Sequence, residues 1–229
     1  MEFLKVFKFS MIVILPFLAF LLVFDYAAFD INFYREKFAE YKVYDAVPQA
    51  DTLNANVIDF ITGKKDNLPE NFNERERQHL SDVRKAIGIS GIVLYASVFL
   101  FVFLLAGSAL ILKNKDYLIK FVGKVFVFGG FFTLAIAGLL FFSIISDFSS
   151  AFESFHQLFF EKGTYLFDPS SEMIVRLYPE QVFMDLGLDI AKGVVFSSAG
   201  LILLGALMIS IAKNKKNKNT ISKSRIKTK

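Results

Sequence analysis

Cysteine is absent from the 229 residues, which removes disulfides, thiolate metal ligands and a cysteine nucleophile in one step. No GxSxG turn is there to present a serine, and no HExxH helix to hold zinc. Histidine occurs only at His79 and His156. Charge is missing from three long stretches, residues 88–112, 125–146 and 193–212, of 25, 22 and 20 residues. No internal repeat stands out, and the one low-complexity segment is a lysine- and asparagine-rich tail.

What remains is apolar. A hydrophobic content of 54% and a mean hydropathy of +0.47 are too high for a soluble domain and indicate a membrane chain. Each uncharged stretch is long enough to span a hydrocarbon core of about 30 Å as a helix. A fourth candidate, residues 9–29, follows Lys5 and Lys8 and ends near Asp25. A basic start, a short apolar core and Ala27–Ala28 also fit a signal peptide, but 21 residues suffice to cross, so a retained helix is expected. Backbone groups in lipid must be satisfied internally, which makes all four spans helical. Gly107, Gly129, Gly130, Gly138, Gly200 and Gly205 suit close helix contacts, without a strict GxxxG.

Orientation follows from lysine and arginine. Residues 1–8, 113–124 and 213–229 carry two, four and eight of them, against the two acids Glu2 and Asp116. By the positive-inside rule these segments are cytoplasmic. Residues 30–87 and 147–192 then face outward and are acidic on balance. The expected fold is an all-α membrane protein: four transmembrane helices, both termini cytoplasmic, and a small extracytoplasmic α(+β) cap. It is one integral domain over residues 1–229, with spans 9–29, 88–112, 125–146 and 193–212. The basic tail 213–229 reads as an anchor on anionic lipid rather than a nucleic-acid arm.

Within the first outer segment, INFYREKFAEYKVYDAV mixes aromatic and β-branched residues with charge, a composition compatible with strands or an interfacial hairpin. Beyond Pro48, Asp51 or Thr52 can cap a helix with Leu53, Val57, Phe60 and Ile61 on one face, ended by Gly63. Asn73 can cap the next helix, whose opening NERERQHLSDVRK sets Glu76, His79 and Asp82 or Val83 three to four residues apart on one face. In the second outer segment Phe148, Phe152, Phe155 and Phe159 recur at helical spacing. This predicts that the third span continues outward, carrying His156. Asp168 before Pro169 signals a turn, Ser170 or Ser171 can cap a short helix, and Pro179 fits the first turn of the helix leading to the last span.

Two motifs in this topology resemble a known family. Glu76-Arg77-Gln78-His79-Leu80-Ser81-Asp82-Val83, flanked by Arg75 and Arg84, is similar to the RExxHxxDV stretch of the lipoprotein intramolecular transacylase (Lit) family. Phe155-His156, Phe159-Phe160 and Phe167-Asp168-Pro169, with Pro179 and Phe183, resemble its second motif, FHxxFFxxxxWxFDP. Tyr165 stands in place of Trp and Glu172 in place of Asp, which keeps aromatic character and negative charge. The resemblance implies an enzyme of the cell membrane, active on the outer face. It would move the sn-2 acyl chain of a lipoprotein's S-diacylglyceryl group to the α-amine of the amino-terminal cysteine, leaving a lyso-form lipoprotein. It implies His79 and His156 as the catalytic pair, with Glu76, Asp82, Asp168, Tyr165 and Glu172 in support. Expected partners are diacylglyceryl-modified lipoproteins and membrane lipid, not nucleic acid, with the protein a monomer that uses no cofactor and no metal.

The reaction asks for what these residues supply. An imidazole of pKa about 6.5 suits removal of a proton from an α-amine, and a second can polarise or protonate the ester. The first expectation is His79 as base toward the amine, oriented by Glu76 or Asp82, with His156 at the ester. Amine and ester belong to one molecule, so no enzyme nucleophile is needed. Blander roles compete: Glu76, Asp82, Arg75 and Arg84 also fit a solvated helix face, Asp168 a turn cap, and the phenylalanines interface packing. Two other functions stay open, a metal-assisted membrane hydrolase with both histidines and an acid as ligands, and a non-enzymatic membrane scaffold.

Overall fold

A computed structural model describes the backbone of residues 2–161 and 163–227, with side chains as far as Asn214. The regular elements among the described residues are all helical: α1 (Glu2–Ala27), α2 (Ile31–Glu40), α3 (Val43–Ala46), α4 (Ala50–Ile61), α5 (Glu74–Leu112), α6 (Lys115–Ser146), α7 (Phe148–Phe159), α8 (Met173–Leu177) and α9 (Glu180–Lys227). Four are long and apolar enough to cross a membrane: α1, α5, α6 and the Glu180–Asn214 part of α9. The chain is thus a multi-pass membrane protein. Each expected span falls largely within one of these helices. The basic tail expected at 213–229 lies mostly outside the described side chains.

The chain divides into two compact units. One comprises Met1–Phe20, Leu94–Gly138 and Gly193–Lys229. Its buried centre is Met11, Ile14, Leu15, Leu104 and Val125, wrapped by Phe7, Phe101, Phe121 and Leu201. Small residues let backbones touch: a Cβ on Gly205 would stand 2.6 Å from the Gly123 carbonyl, and one on Gly123 2.7 Å from the Gly205 carbonyl. Gly129 likewise meets Leu15, and Gly130 meets Ser198 and Ile202. The expectation of close contact fails at Gly138 and Gly200, where a Cβ would meet nothing within 4 Å. Gly123, outside the uncharged runs, is the contact that composition did not mark. The buried hydroxyls of Ser108, Thr133 and Ser198 each donate to the carbonyl four residues back, which satisfies them without a partner helix.

The second unit comprises Leu21–Val93 and Leu139–Lys192. Its core joins Phe38, Val43, Val47, Leu53, Val57, Phe72, Leu177 and Val182. Fully burying a side chain of this size is worth about 1.5–3 kcal/mol. Here the strands expected in residues 31–47 are helices instead. Asp30 caps α2 by accepting from the Asn32 amide, and Tyr34 and Phe38, four apart, bury one face. Lys42, at φ 55, then breaks the chain into α3. Tertiary burial at helical period overrides β propensity here. Tyr178 donates to Asn54 and Tyr34 to the Ala28 carbonyl, so the buried phenols are paired.

Three other local expectations need correction. Gln49, not Asp51 or Thr52, precedes α4, and Asp51 instead pairs with Arg35 and accepts from Tyr44. Glu172 precedes α8, displacing Ser170 and Ser171. The third span does not run on unbroken: Asp147 takes an extended conformation, φ −159, and caps α7 by accepting from the Ser150 amide. An aspartate that can accept from the amide three residues on is a strong helix start, and it wins over continuation.

The glycine contacts predict an outcome. G205V and G123V should each cost about 1–3 kcal/mol through overpacking, seen as a lower melting temperature by circular dichroism in detergent, whereas G200A should melt no lower than the parent.

Candidate active site

The site is built on the first turns of α5, before its apolar run begins. Asn73 and Glu76 form a reciprocal cap: Asn73 Oδ1 accepts from the Glu76 amide at 3.0 Å, and Glu76 Oε2 from the Asn73 amide at 2.6 Å. The other oxygen, Oε1, accepts from the Ile174 amide at 2.7 Å, which fastens the start of α8 to the start of α5. Glu76 is 1% exposed. Arg77 donates to the carbonyls of Phe72, Leu68 and Pro69, so the entering loop is held as well.

His79 lies one turn further on and is 6% exposed. Its ring centroid stands 5.0 Å from Phe160, 5.4 Å from Phe167 and 6.0 Å from His156. The two imidazoles are 25° from parallel. Burial pushes His79 down to about 4; the His156 charge adds to this and Asp82 opposes it. The ring is therefore neutral at pH 7. Its Nδ1 is buried without a hydrogen-bond partner among the described residues. An orphaned N–H costs more than an orphaned lone pair, which places the proton on Nε2.

His156 has the opposite tautomer. Its Nδ1 lies 2.8 Å from the Phe152 carbonyl, an acceptor only, so Nδ1 carries the proton and Nε2 the lone pair. Phe152, Tyr165, Phe155 and Phe160 surround the ring at 4.2, 4.9, 5.6 and 5.6 Å. Burial lowers its pKa against a rise from the Phe152 carbonyl. One imidazole thus offers an N–H and the other a lone pair. Both charged at 6.0 Å would repel by roughly 3 kcal/mol at an effective dielectric of about 20, so the pair holds at most one extra proton.

The remaining predicted residues are placed as follows. Glu172, 7% exposed, accepts from Arg75 at 3.1 and 2.5 Å, from the Asp168 amide at 2.6 Å and from Asn73 at 3.3 Å. Burial alone would raise its pKa; these donors together hold it below the usual range. Arg75 also donates to the Leu166 carbonyl and lies 5.0 Å over the Phe167 ring. Glu172 and Arg75 thereby hold the strip that carries Tyr165 and Phe167. Asp168 accepts from the amide and hydroxyl of Ser170 and serves the turn, its pKa lowered by those bonds. Asp82 bonds to Gln78 and Lys85 and reaches His79 through its field.

His79, His156 and Tyr165 are brought together; Glu76, Glu172 and Asp168 hold the elements that carry them. Sequence reasoning gave Phe160 and Phe167 no role, although both stand inside the quoted motif. Arg75, read there as a flank or solvated charge, is the residue that grips Glu172. Among the described residues no three His, Asp or Glu side chains converge as a metal site.

A four-span membrane protein with two facing imidazoles in an aromatic pocket is the class that this fold and site define. A sequence model of the lipoprotein intramolecular transacylase Lit matches residues 7–183, and the chain belongs to that family. It is therefore grouped with acyltransferases that act on lipoproteins. The fold matches the membrane-integral Lit of Bacillus cereus at TM-score 0.78 and 20% identity, covering 95% of this chain and 99% of that one. Structures of that protein with a histidine changed to arginine or to alanine match at TM-score 0.73 and 20% identity, the first covering 95% of each chain and the second 94% of this chain and 96% of that one. No curated protein matches by sequence.

Burial of the imidazoles sets a pH dependence. Folded His79 titrates near 4 and an unfolded histidine near 6.5, so the unfolded chain takes the proton first as pH falls. Stability is fully present above about 6.5 and is lost toward 4. Melting temperatures at pH 7 and pH 5 should fall less in H79Q than in the parent.

Proposed function

We propose that the chain moves the sn-2 acyl chain of an S-diacylglyceryl lipoprotein to the α-amine of its amino-terminal cysteine, with His156 as base and His79 as hydrogen-bond donor. The observation that carries this is the stacked pair of imidazoles, 6.0 Å apart within one set of aromatic rings, with His156 Nδ1 at 2.8 Å from the Phe152 carbonyl and His79 Nδ1 without a partner among the described residues. Residues 30–87 and 147–192, acidic on balance, lie on the outer face of the cytoplasmic membrane, where such lipoproteins are anchored.

An α-amine of pKa about 7.7–8.0 is partly free at pH 7. The free amine adds to the ester carbonyl through a ring of about eight atoms, and holding that ring closed draws on proximity worth up to about 7–11 kcal/mol. His79 Nε2–H donates to the carbonyl oxygen as charge develops there. As the N–C bond forms, the nitrogen becomes acidic and its proton passes to His156 Nε2. The C–O bond then breaks, and the imidazolium returns the proton to the departing glyceryl oxygen. The products are an amide and a free hydroxyl, with no net proton change and no covalent enzyme intermediate.

This assignment reverses the order of roles expected from sequence, because the Phe152 carbonyl fixes the His156 tautomer. A metal-assisted hydrolase gains no support, since both Glu76 oxygens are engaged by backbone amides.

Two measurements test the mechanism. Mass spectrometry of a defined diacylated lipopeptide incubated with purified protein should show H156Q slowed about 10³-fold or more. H79Q keeps an amide N–H and should lose less, about 10²-fold; full activity in either variant removes that histidine from the reaction. The rate at low substrate should rise with pH, half-maximal at about 7.7–8.0 and level above about 9. Both imidazoles are already neutral at pH 7, so the limb belongs to the substrate, and a lipopeptide with a less basic amine should shift it down by the same interval.

A further inference from the structure

The arc of α7 that faces away from His79 has no use in the chemistry above. Ser149, Glu153 and Gln157, with Ser150 and Ser154, form its polar side. Phe148, Phe152, Phe155 and Phe159, with Ala151 and Leu158, form its apolar side. Only part of the apolar side is spoken for: Phe152 stacks on Phe183 and meets His156 edge-on, and Phe155 touches the His156 ring with one edge while the rest of it stays open. Phe155, Leu158 and Phe159 are 52%, 76% and 56% exposed, and Leu166 just beyond the helix is 59% exposed. No residue of α7 is buried.

What covers this arc is indicated by where the helix starts. α6 is a membrane-crossing helix whose last turns leave Phe142 and Ile145 exposed, as a span leaves residues to lipid. A single residue, Asp147, separates its end from α7. There is no linker to carry the twelve residues of α7 away from the hydrocarbon edge. An amphipathic helix at that boundary sinks its apolar side about 5–10 Å into the headgroup and acyl region.

We propose that α7 is an interfacial helix whose Phe155–Leu158–Phe159 arc is immersed in the acyl region of the bilayer. His156 lies at the seam between the apolar and polar arcs, beside Ser149 and Glu153. At that seam an immersed helix meets the level of the glyceryl esters, between acyl chains and headgroups. The inference builds on the proposed reaction: it makes α7 the element that sets the depth of His156 to that of the ester, so that a lipid-anchored substrate arrives sideways without leaving the leaflet.

The chain contains no tryptophan, so one substitution provides a unique reporter. Full-length L158W and E153W would be reconstituted in phosphatidylglycerol–phosphatidylcholine vesicles with or without bromine on the acyl chains. The expected result is blue-shifted L158W emission quenched at least twofold by brominated lipid and little by iodide, with E153W showing the reverse. L158W quenched by iodide, or blue-shifted but indifferent to brominated lipid as a contact between two copies would make it, overturns the proposal. F155W, an aromatic exchange on the same arc, repeats the test should L158W fail to fold. Quenching does not depend on turnover, and repeating it in an H156Q background separates failure of this proposal from failure of the proposed chemistry.

Discussion

One carboxylate holds the site in register. Both oxygens of Glu76 accept backbone N–H groups, from the residue that starts its own helix and from the start of α8. At 1% exposure this acid has no water to fall back on, so the bonds are obligatory for the folded state. With the first turn of α5 tied to α8, His79 occupies a fixed point one turn along. Tyr165 and Phe167 are then set against the two imidazoles by the Arg75–Glu172 pair, whose other bonds run to Asn73, Asp168 and Leu166. Glu76, Glu172 and Asp168 thus serve through the segments they hold rather than by touching the imidazoles, and Asp82 acts on His79 only through its field.

That arrangement leaves the imidazoles without a hydrogen-bonded carboxylate among the described residues, unlike the orienting acid of a serine-protease triad. Rings take the acid's place: Phe152, Phe160, Phe167 and Tyr165 fix the imidazoles by packing and keep them neutral by excluding solvent. For the proposed transfer between an amine and an ester of one molecule, neutrality is the useful state, since one ring would accept a proton and the other would already have one to share.

Much of this was legible in sequence where a local rule decides the outcome. Uncharged runs of 20 to 25 residues admit one conformation in lipid, and Asn73 is legible as the cap of the helix that carries His79. Two motifs carried both histidines. Less was legible where distant residues decide. Residues 31–47 have β-prone composition, and only burial of Tyr34 and Phe38 against Tyr178 reveals the helical period as the stronger signal. Arg75 and Glu172 are 97 positions apart, a pairing that no spacing rule contains. The tautomer of His156 depends on the carbonyl four residues back within its own helix, which identity alone does not fix. Gly123 falls outside the uncharged runs, beside Lys124, and no local rule marks its close contact with the Gly205 backbone.

For the proposed reaction, the aromatic wall also bears on product identity. An activated ester beside a base is ordinarily vulnerable to hydrolysis, which would release free fatty acid and waste the lipoprotein's chain. In the proposed transfer, rings packed around the imidazoles would leave the tethered nitrogen as the nucleophile stationed at the carbonyl, and bulk water would have to compete from outside. Fidelity of transfer is then a matter of who is admitted, settled by side-chain volume before any bond is made.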